Sequence, residues 1–170
     1  MRRLVGVLSA FSVLAAQPVV AEQRCPSPSD QSMFEVQSLR SELMVLATGC
    51  HYDDQYNAFI RRYQSDLQAN ERAVSAYFSR RYGKAGQVEH DRFVTELANA
   101  KSRQGTDLGG DFCPRNGLIF KEVLSLSSAR DLPDFAAGKD IIPASVDICT
   151  TPSASGTGHG AESALKKKKK

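Results

Sequence analysis

Closely spaced metal and redox ligands are what this 170-residue chain has least of. Its four cysteines, Cys25, Cys50, Cys113 and Cys149, are nowhere nearer than 25 positions to one another, and its three histidines lie far apart at 51, 90 and 159. Paired-ligand zinc spacing is therefore missing, and with it the strongest sequence argument for a metal site. Tryptophan is absent altogether. After the first 25 residues no apolar stretch reaches the roughly 18 residues of a membrane-spanning helix. No run alternates apolar and polar residues as a half-buried strand does. Gly109-Gly110-Asp111 reads as a turn, because it lacks the spacing of a phosphate-binding glycine loop. No internal repeat is visible.

The N-terminus carries the clearest positive signal. Arg2 and Arg3 precede an uncharged apolar stretch, Leu4 to Ala16, and Val19-x-Ala21 follows as a small-residue cleavage site. This is the pattern of a secretory signal peptide over residues 1–21. Glu22, Gln23 and Arg24 separate that site from Cys25, which argues against a lipid anchor. The expected localisation is periplasmic or secreted, with no membrane span in the mature chain.

Charge divides the remainder. Residues 22–150 contain 15 Lys and Arg against 18 Asp and Glu, whereas residues 151–170 contain five Lys and one Glu. The overall basic balance thus belongs to a tail, so it gives no reason to expect a specific nucleic-acid-binding fold. That tail, rich in Pro, Ser, Gly and Thr before its poly-Lys end, lacks the apolar content to order itself and is expected to be disordered. Its lysines would at most touch anionic surfaces. Residues 22–150 form the expected single domain.

An exported chain with four cysteines is expected to hold two disulfides, and four cysteines allow three pairings. A helix over residues 31–49 would be roughly 28 Å long, which opposes bridging Cys25 before it to Cys50 after it. Of the two pairings left, Cys50–Cys113 with Cys25–Cys149 is the expected one.

Helical periodicity runs through the domain. Val36, Leu39, Leu43 and Leu46 make one apolar stripe, with Asp30 as a cap or Ser32-x-x-Glu35 as a capping box, and Gly49 near the end. Residues 54–82 repeat the pattern through Tyr56, Ile60, Tyr63, Leu67, Val74 and Tyr77 to a stop at Gly83. Asn70 falls on this stripe, where it marks either a break or a buried polar contact between helices. A third helix spans about 87–103, and Gln104 to Gly110 is expected to be a loop. A fourth follows Pro114, with Ile119, Phe120, Val123 and Leu124 inward. A short helical turn begins near Asp131 and runs through Phe135. The expected fold class is all-α, a small disulfide-stapled bundle of four main helices plus one short helix.

Candidate chemistry is thin. His51, Asp53 and Asp54 are the densest polar cluster and would be the residues of a small envelope hydrolase, but adjacent carboxylates at a helix start are ordinarily caps. His90-Asp91 has the same double reading. Arg61-Arg62 and Arg80-Arg81 read as an anion-binding face or as solvated surface. No catalytic set, cofactor or metal is assigned. All five tyrosines lie between 52 and 82. Their default is core packing with the hydroxyl at the rim. The alternative is an interaction surface of Tyr52, Tyr56, Tyr63, Arg61 and Arg62, since aromatic residues and Arg anchor interfaces.

Leu43-Met44-Val45 running to Cys50, Tyr56-Asn57-x-Phe59, Tyr77-Phe78, Phe93-x-Thr95-x-Leu97-Ala98-Asn99 and Phe112-Cys113 together resemble a group of exported, signal-peptide-bearing, all-helical bacterial proteins without an assigned activity. The resemblance covers about residues 38–125 and implies an exported helical domain, with no catalytic residue transferred. Phe112-Cys113-Pro114 before a helix, with Cys149 near the domain end, is fainter in its similarity to Tai-type periplasmic immunity proteins, whose upstream helices this chain does not match. The function expected is that of an exported, non-enzymatic interaction protein of the cell envelope, with another envelope or secreted protein as partner.

Exported protein is expected to begin at Glu22. Intact mass or N-terminal sequencing measures this directly, and a start more than about three residues away contradicts the signal-peptide assignment.

Overall fold

The computed structural model describes residues 26–143, and every regular element among them is helical. The order is α1 (Pro28–Cys50), α2 (Asp53–Arg62), α3 (Gln64–Tyr82), α4 (Gly86–Leu108), α5 (Phe112–Asn116), α6 (Leu118–Leu124) and α7 (Leu132–Ala137). Single 3-10 turns occupy Gly83–Ala85, Gly109–Asp111 and Ala129–Asp131. The all-α class is as expected. The signal segment 1–21, Cys25, Cys149 and the tail 151–170 lie outside the described residues.

α1 starts a little earlier than its apolar stripe suggests. Ser27 Oγ accepts from the Asp30 N–H at 3.2 Å, and Asp30 Oδ2 accepts from the Ser27 N–H at 3.3 Å. This reciprocal box replaces the expected Ser32–Glu35 one, and Asp30 is its third helical residue rather than the cap. Pro28 opens the first turn, where its missing N–H costs nothing. The far end runs through Gly49 and stops at His51, whose backbone is left-handed (φ 60°, ψ 38°) and whose N–H bonds the Ala47 carbonyl.

α1 is the axis of the fold. α2, α3, α4, α5 and α7 all pack against it. The predicted stripe of Val36, Leu39, Leu43 and Leu46 is fully inside, but so are Gln37, Ser38, Ser41 and Glu42. Around it lie two apolar clusters. The larger joins the stripe to Phe59, Leu67, Phe120, Val123 and Leu132. The smaller gathers Met33, Phe34, Val74, Phe78, Phe93 and Leu97 where α1, α3 and α4 meet. Phe34 is its hub, edge-on to Tyr77 at 4.9 Å and to Phe93 at 5.1 Å between centroids. Each fully buried Phe or Leu contributes about 1.5–3 kcal/mol relative to an exposed one.

The expected single helix over 54–82 is two. It breaks at Tyr63, whose backbone leaves helical values (φ −112°, ψ 20°). The cause is tertiary: the Tyr63 hydroxyl donates to the Val123 carbonyl at 2.7 Å, fixing this point against α6. Asn70 is not the break. Its Nδ2 donates to the Met33 carbonyl at 3.1 Å, a half-buried polar contact between α3 and α1.

The expected loop at 104–110 is mostly helix, since α4 continues to Leu108. Gly105 signals close packing here instead of a turn, because a Cβ there would meet the Phe112 ring at 3.3 Å. Gly86 has the same role more severely. A side chain at that position would come within 2.8 Å of the Ser79 backbone, so α3 and α4 approach as closely as they do only with glycine. The helix expected after Pro114 is likewise divided, into α5 and α6.

One of the expected disulfides is present among the described residues. Cys50 at the end of α1 is bonded to Cys113 in α5, with Sγ atoms 2.02 Å and Cα atoms 5.6 Å apart. The other expected pair, Cys25 with Cys149, lies outside the described residues. The Cys50–Cys113 bond closes a loop of sequence separation 63. Removing it with Cys50→Ser/Cys113→Ser is expected to lower stability by up to about 4 kcal/mol while leaving far-UV dichroism helical. Urea melts compare the two proteins, and coincident midpoints would show that the crosslink adds nothing.

Candidate functional site

His51, Asp53 and Asp54 do not assemble into a site. All three are exposed. His51 caps α1 through its backbone, and the two aspartates occupy the first turn of α2, where negative charge suits the helix dipole. None of them lines the concavities described below.

The tyrosine and arginine group is dispersed as well. Tyr63 is buried in the larger core. Arg62 is tied down, its Nη2 donating to the Leu126 carbonyl at 2.7 Å and its Nε to the Tyr63 hydroxyl at 3.0 Å. Tyr52 and Tyr56 are half-buried, the former edge-on to Phe120 at 5.6 Å. Of the five, Arg61 and Arg62 are exposed, and Arg62 is held by the bonds just given.

Aromatic and basic side chains do meet in the open at the other end of the molecule, around the turn from α3 to α4. Tyr82 is 41 % exposed and Val88 66 % exposed. Tyr82 stacks on Phe78 at 5.9 Å, and the Arg81 guanidinium lies 5.8 Å from the Tyr82 ring centre. Arg80 and Lys84 are exposed beside them. Gly83, with φ at 55°, takes the left-handed turn between the two helices, and Arg80 reaches Asp30 at 3.9 Å.

A cleft of about 460 Å³ opens between α1, α3 and α4. Gln37, Arg40, Ser41 and Met44 come from α1, Glu71 from α3, and His90 and Val94 from α4. Arg40 Nη1 donates to Glu71 Oε2 at 3.0 Å. His90 Nε2 lies 3.3 Å from Glu71 Oε1 but outside hydrogen-bonding geometry. The His90 ring stacks on Phe78 at 5.6 Å. Gln37 Oε1, Ser41 Oγ and both ring nitrogens of His90 are enclosed without a hydrogen-bond partner, and Nε2 has the Glu71 carboxylate beside it. Asp91, the neighbour of His90 in sequence, reaches the rim and accepts from Gln87 Nε2 at 2.8 Å.

Serine, histidine and glutamate in one cleft invite comparison with a hydrolase triad. The arrangement differs in two ways. Ser41 Oγ and His90 are not hydrogen-bonded to each other. Ser41 also sits in the middle of a 23-residue helix, where the backbone N–H groups are engaged in the helix ladder and cannot form an oxyanion hole. The side chains of the cleft are thus not arranged as a nucleophile–base pair.

The cleft left only a faint trace in the sequence. Gln37 and Ser41 are spaced i, i+4, a polar row beside the apolar stripe of α1. On a helix packed from one side such a row is solvent-facing. It becomes a site wall only because α4 covers it.

A second concavity, about 580 Å³, lies on the α4 and α6 side and is lined by Glu42, Lys101, Asn116 and Lys139 among others. Lys101 Nζ is 2.7 Å from Glu42 Oε1, with both side chains largely enclosed, and it also donates to Asn116 Oδ1 at 3.2 Å. Lys101 is thus the counter-charge that permits Glu42 inside the bundle. No group of three or more His, Cys, Asp or Glu side chains among the described residues is placed to hold a metal ion.

Lys101→Met is expected to destabilise the domain by about 3–5 kcal/mol, because it strands a buried carboxylate. Adding Glu42→Leu should recover most of that loss. Chemical denaturation of both variants measures it, and a single variant no worse than the double would show that Glu42 does not depend on Lys101.

No protein-family model matches the chain, and no curated protein and no solved structure matches it.

Proposed function

We propose that this chain is an exported, non-enzymatic interaction protein of the cell envelope, and that its partner is another envelope or secreted protein. The observation that carries the reading is the exposed tip at the α3–α4 turn. Tyr82 and Val88 stand in the open with Arg80, Arg81 and Lys84 around them. Aromatic residues and arginine gathered about an exposed apolar side chain are the composition of interface anchors. The basic rim favours a partner with an acidic surface. The Cys50–Cys113 bond supports an oxidising compartment, and the signal-peptide pattern supports export. No helix of the described residues is long and apolar enough to cross a membrane. An inhibitor or immunity role toward a secreted protein is a special case of this reading.

The rival, a small envelope hydrolase working from His51, Asp53 and Asp54, draws no support from three exposed side chains that line none of the clefts described.

Affinity capture from envelope extract is expected to yield a stoichiometric protein partner. Tyr82→Ala combined with Val88→Asp should weaken that capture by about tenfold or more, as loss of an interface anchor does, with only a small fall in melting temperature from the lost Tyr82–Phe78 stack. A partner retained at full strength by the double variant contradicts the tip as the docking face. Capture of no protein at all contradicts the function.

A further inference from the structure

Independently of any protein partner, we infer that Cys25 and Cys149 are bonded to each other, and that this bond latches Lys139–Pro143 as a strap along α1 that walls the concavity holding the Glu42–Lys101 pair. The strap itself lies among the described residues. α7 ends at Ala137, and no regular element follows it. Ile141 packs on the larger apolar cluster and Ile142 on the smaller one, which is built around Phe34. With Pro143 they line the concavity of about 580 Å³ that Lys101 and Leu118 also line. Little holds this segment down. The Lys139–Glu122 pair is 33 % and 47 % exposed, and such surface pairs contribute little. Asp140 has a left-handed backbone, φ 50°, which is uncommon for a residue with a side chain. Burial raises the Glu35 carboxyl and the Asp140 charge adds to the rise, so two carboxylates oppose each other where the strap meets α1. A segment bent in this way and lightly attached frays unless its far end is fixed.

The observed bond and the reach of the chain select the anchor. Because Cys50 is bonded to Cys113, Cys25 and Cys149 have only each other within the chain. Phe34 stands six positions into α1 from Pro28, about 9 Å along the helix. Cys25 is three positions before Pro28, at most about 10 Å further on. Seven positions separate Ile142 from Cys149, a reach of about 23 Å. That is enough to bring Cys149 beside Cys25, since bonded cysteines need Cα atoms only within about 7 Å. The bond forms by thiol–disulfide exchange. The two Sγ atoms join, and their two protons and two electrons pass to a disulfide-bonded oxidant, whose own S–S bond opens into two thiols. The C-terminal half of the domain is then tied to both ends of α1, through Cys113 at Cys50 and through Cys149 just before Pro28.

The test has two parts. Exported protein is alkylated under denaturing conditions without reductant, digested and mapped by mass spectrometry. The expected map has no alkylated cysteine and joins the Cys25 peptide to the Cys149 peptide. Hydrogen–deuterium exchange then reads the strap. The amides of Gly138, Lys139 and Asp140 bond carbonyls of α7. In Cys25→Ser/Cys149→Ser these three are expected to exchange about tenfold faster than in the parent. In Cys50→Ser/Cys113→Ser they should keep near-parent rates, which separates a latch on the strap from a general loss of stability. The inference is overturned if Cys25 or Cys149 is alkylated or is bonded to a second copy of the chain. It is also overturned if the strap amides exchange as in the parent without the Cys25–Cys149 bond, or if losing either bond accelerates them equally. The map requires no variant, so it decides the bond even where a double variant fails to fold.

Discussion

Burial of α1 on nearly every side is the constraint from which the rest of the structure follows. A helix at the surface of a bundle needs one apolar stripe. α1 has that stripe, yet it is met by five other helices, so its remaining faces are covered too. Those faces carry Gln37, Ser38, Ser41 and Glu42, all inside. They are accommodated in different ways, and Ser38 Oγ simply stays enclosed without a hydrogen-bond partner. Glu42 is paired, because α4 brings Lys101 to 2.7 Å. Gln37 and Ser41 line a cleft, with their unpaired oxygens enclosed behind its wall. Glu35, one turn earlier and half-buried, takes a third course. Burial pushes its carboxyl above the usual range, the Gln31 hydrogen bond opposes this, and the charge of Asp140 adds to it.

The C-terminal part of the described chain is held differently. α5, α6 and α7 are at most seven residues long, too short to persist alone in water. They are fastened at separate points to the long helices. Cys113 is bonded to the end of α1, and the Val123 carbonyl accepts from Tyr63. The Leu126 carbonyl accepts from Arg62, and Lys139 reaches back to Glu122 at 2.6 Å. Two of these fasteners are residues whose aromatic and basic character also suits a binding surface. Composition alone does not separate the uses. What decides is that the break at Tyr63 turns its ring inward, with Arg62 laid over its hydroxyl.

This explains which features were legible in the sequence. Stripes such as Val36-Leu39-Leu43-Leu46 report one face of one helix, and they placed α1 and α4 to within a few residues except at the glycine-rich end of α4. Gly105 shows why that end was obscure. Glycine serves both turns and close packing, and only the Phe112 ring, seven positions on, decides between them. The division of 54–82 was hidden for a similar reason, because the bond that fixes it spans 60 positions. Helix length removed only the Cys25–Cys50 pairing and left Cys50 to choose between Cys113 and Cys149, a choice made by where α5 packs on the end of α1. The cleft was not accessible. Its polar row on α1 has the spacing of an ordinary solvated face, and its other wall comes from Glu71 and His90, whose placement depends on how α3 and α4 fold back on α1.

The tip and the cleft are neighbours through a shared aromatic wall. His90 stacks on Phe78 with an interplanar angle of 28°, and Phe78 stacks on Tyr82 at 19°. Phe78 also packs on Phe34 and Phe93 inside the smaller core. A change at Phe78 would therefore disturb the core, the cleft and the exposed tip together, and its effects could not be assigned to any one of them. Tyr82 and Val88 on one side, and Gln37 and Ser41 on the other, lie at the outer ends of this arrangement. Each pair touches one surface without removing the ring that supports both. The rigidity of that ring stack has a further consequence. Because Gly86 holds α4 against the backbone of α3, the two surfaces cannot slide past one another without separating those helices. The cleft and the tip are thus two faces of one close α3–α4 contact, and a change in that contact would reach both.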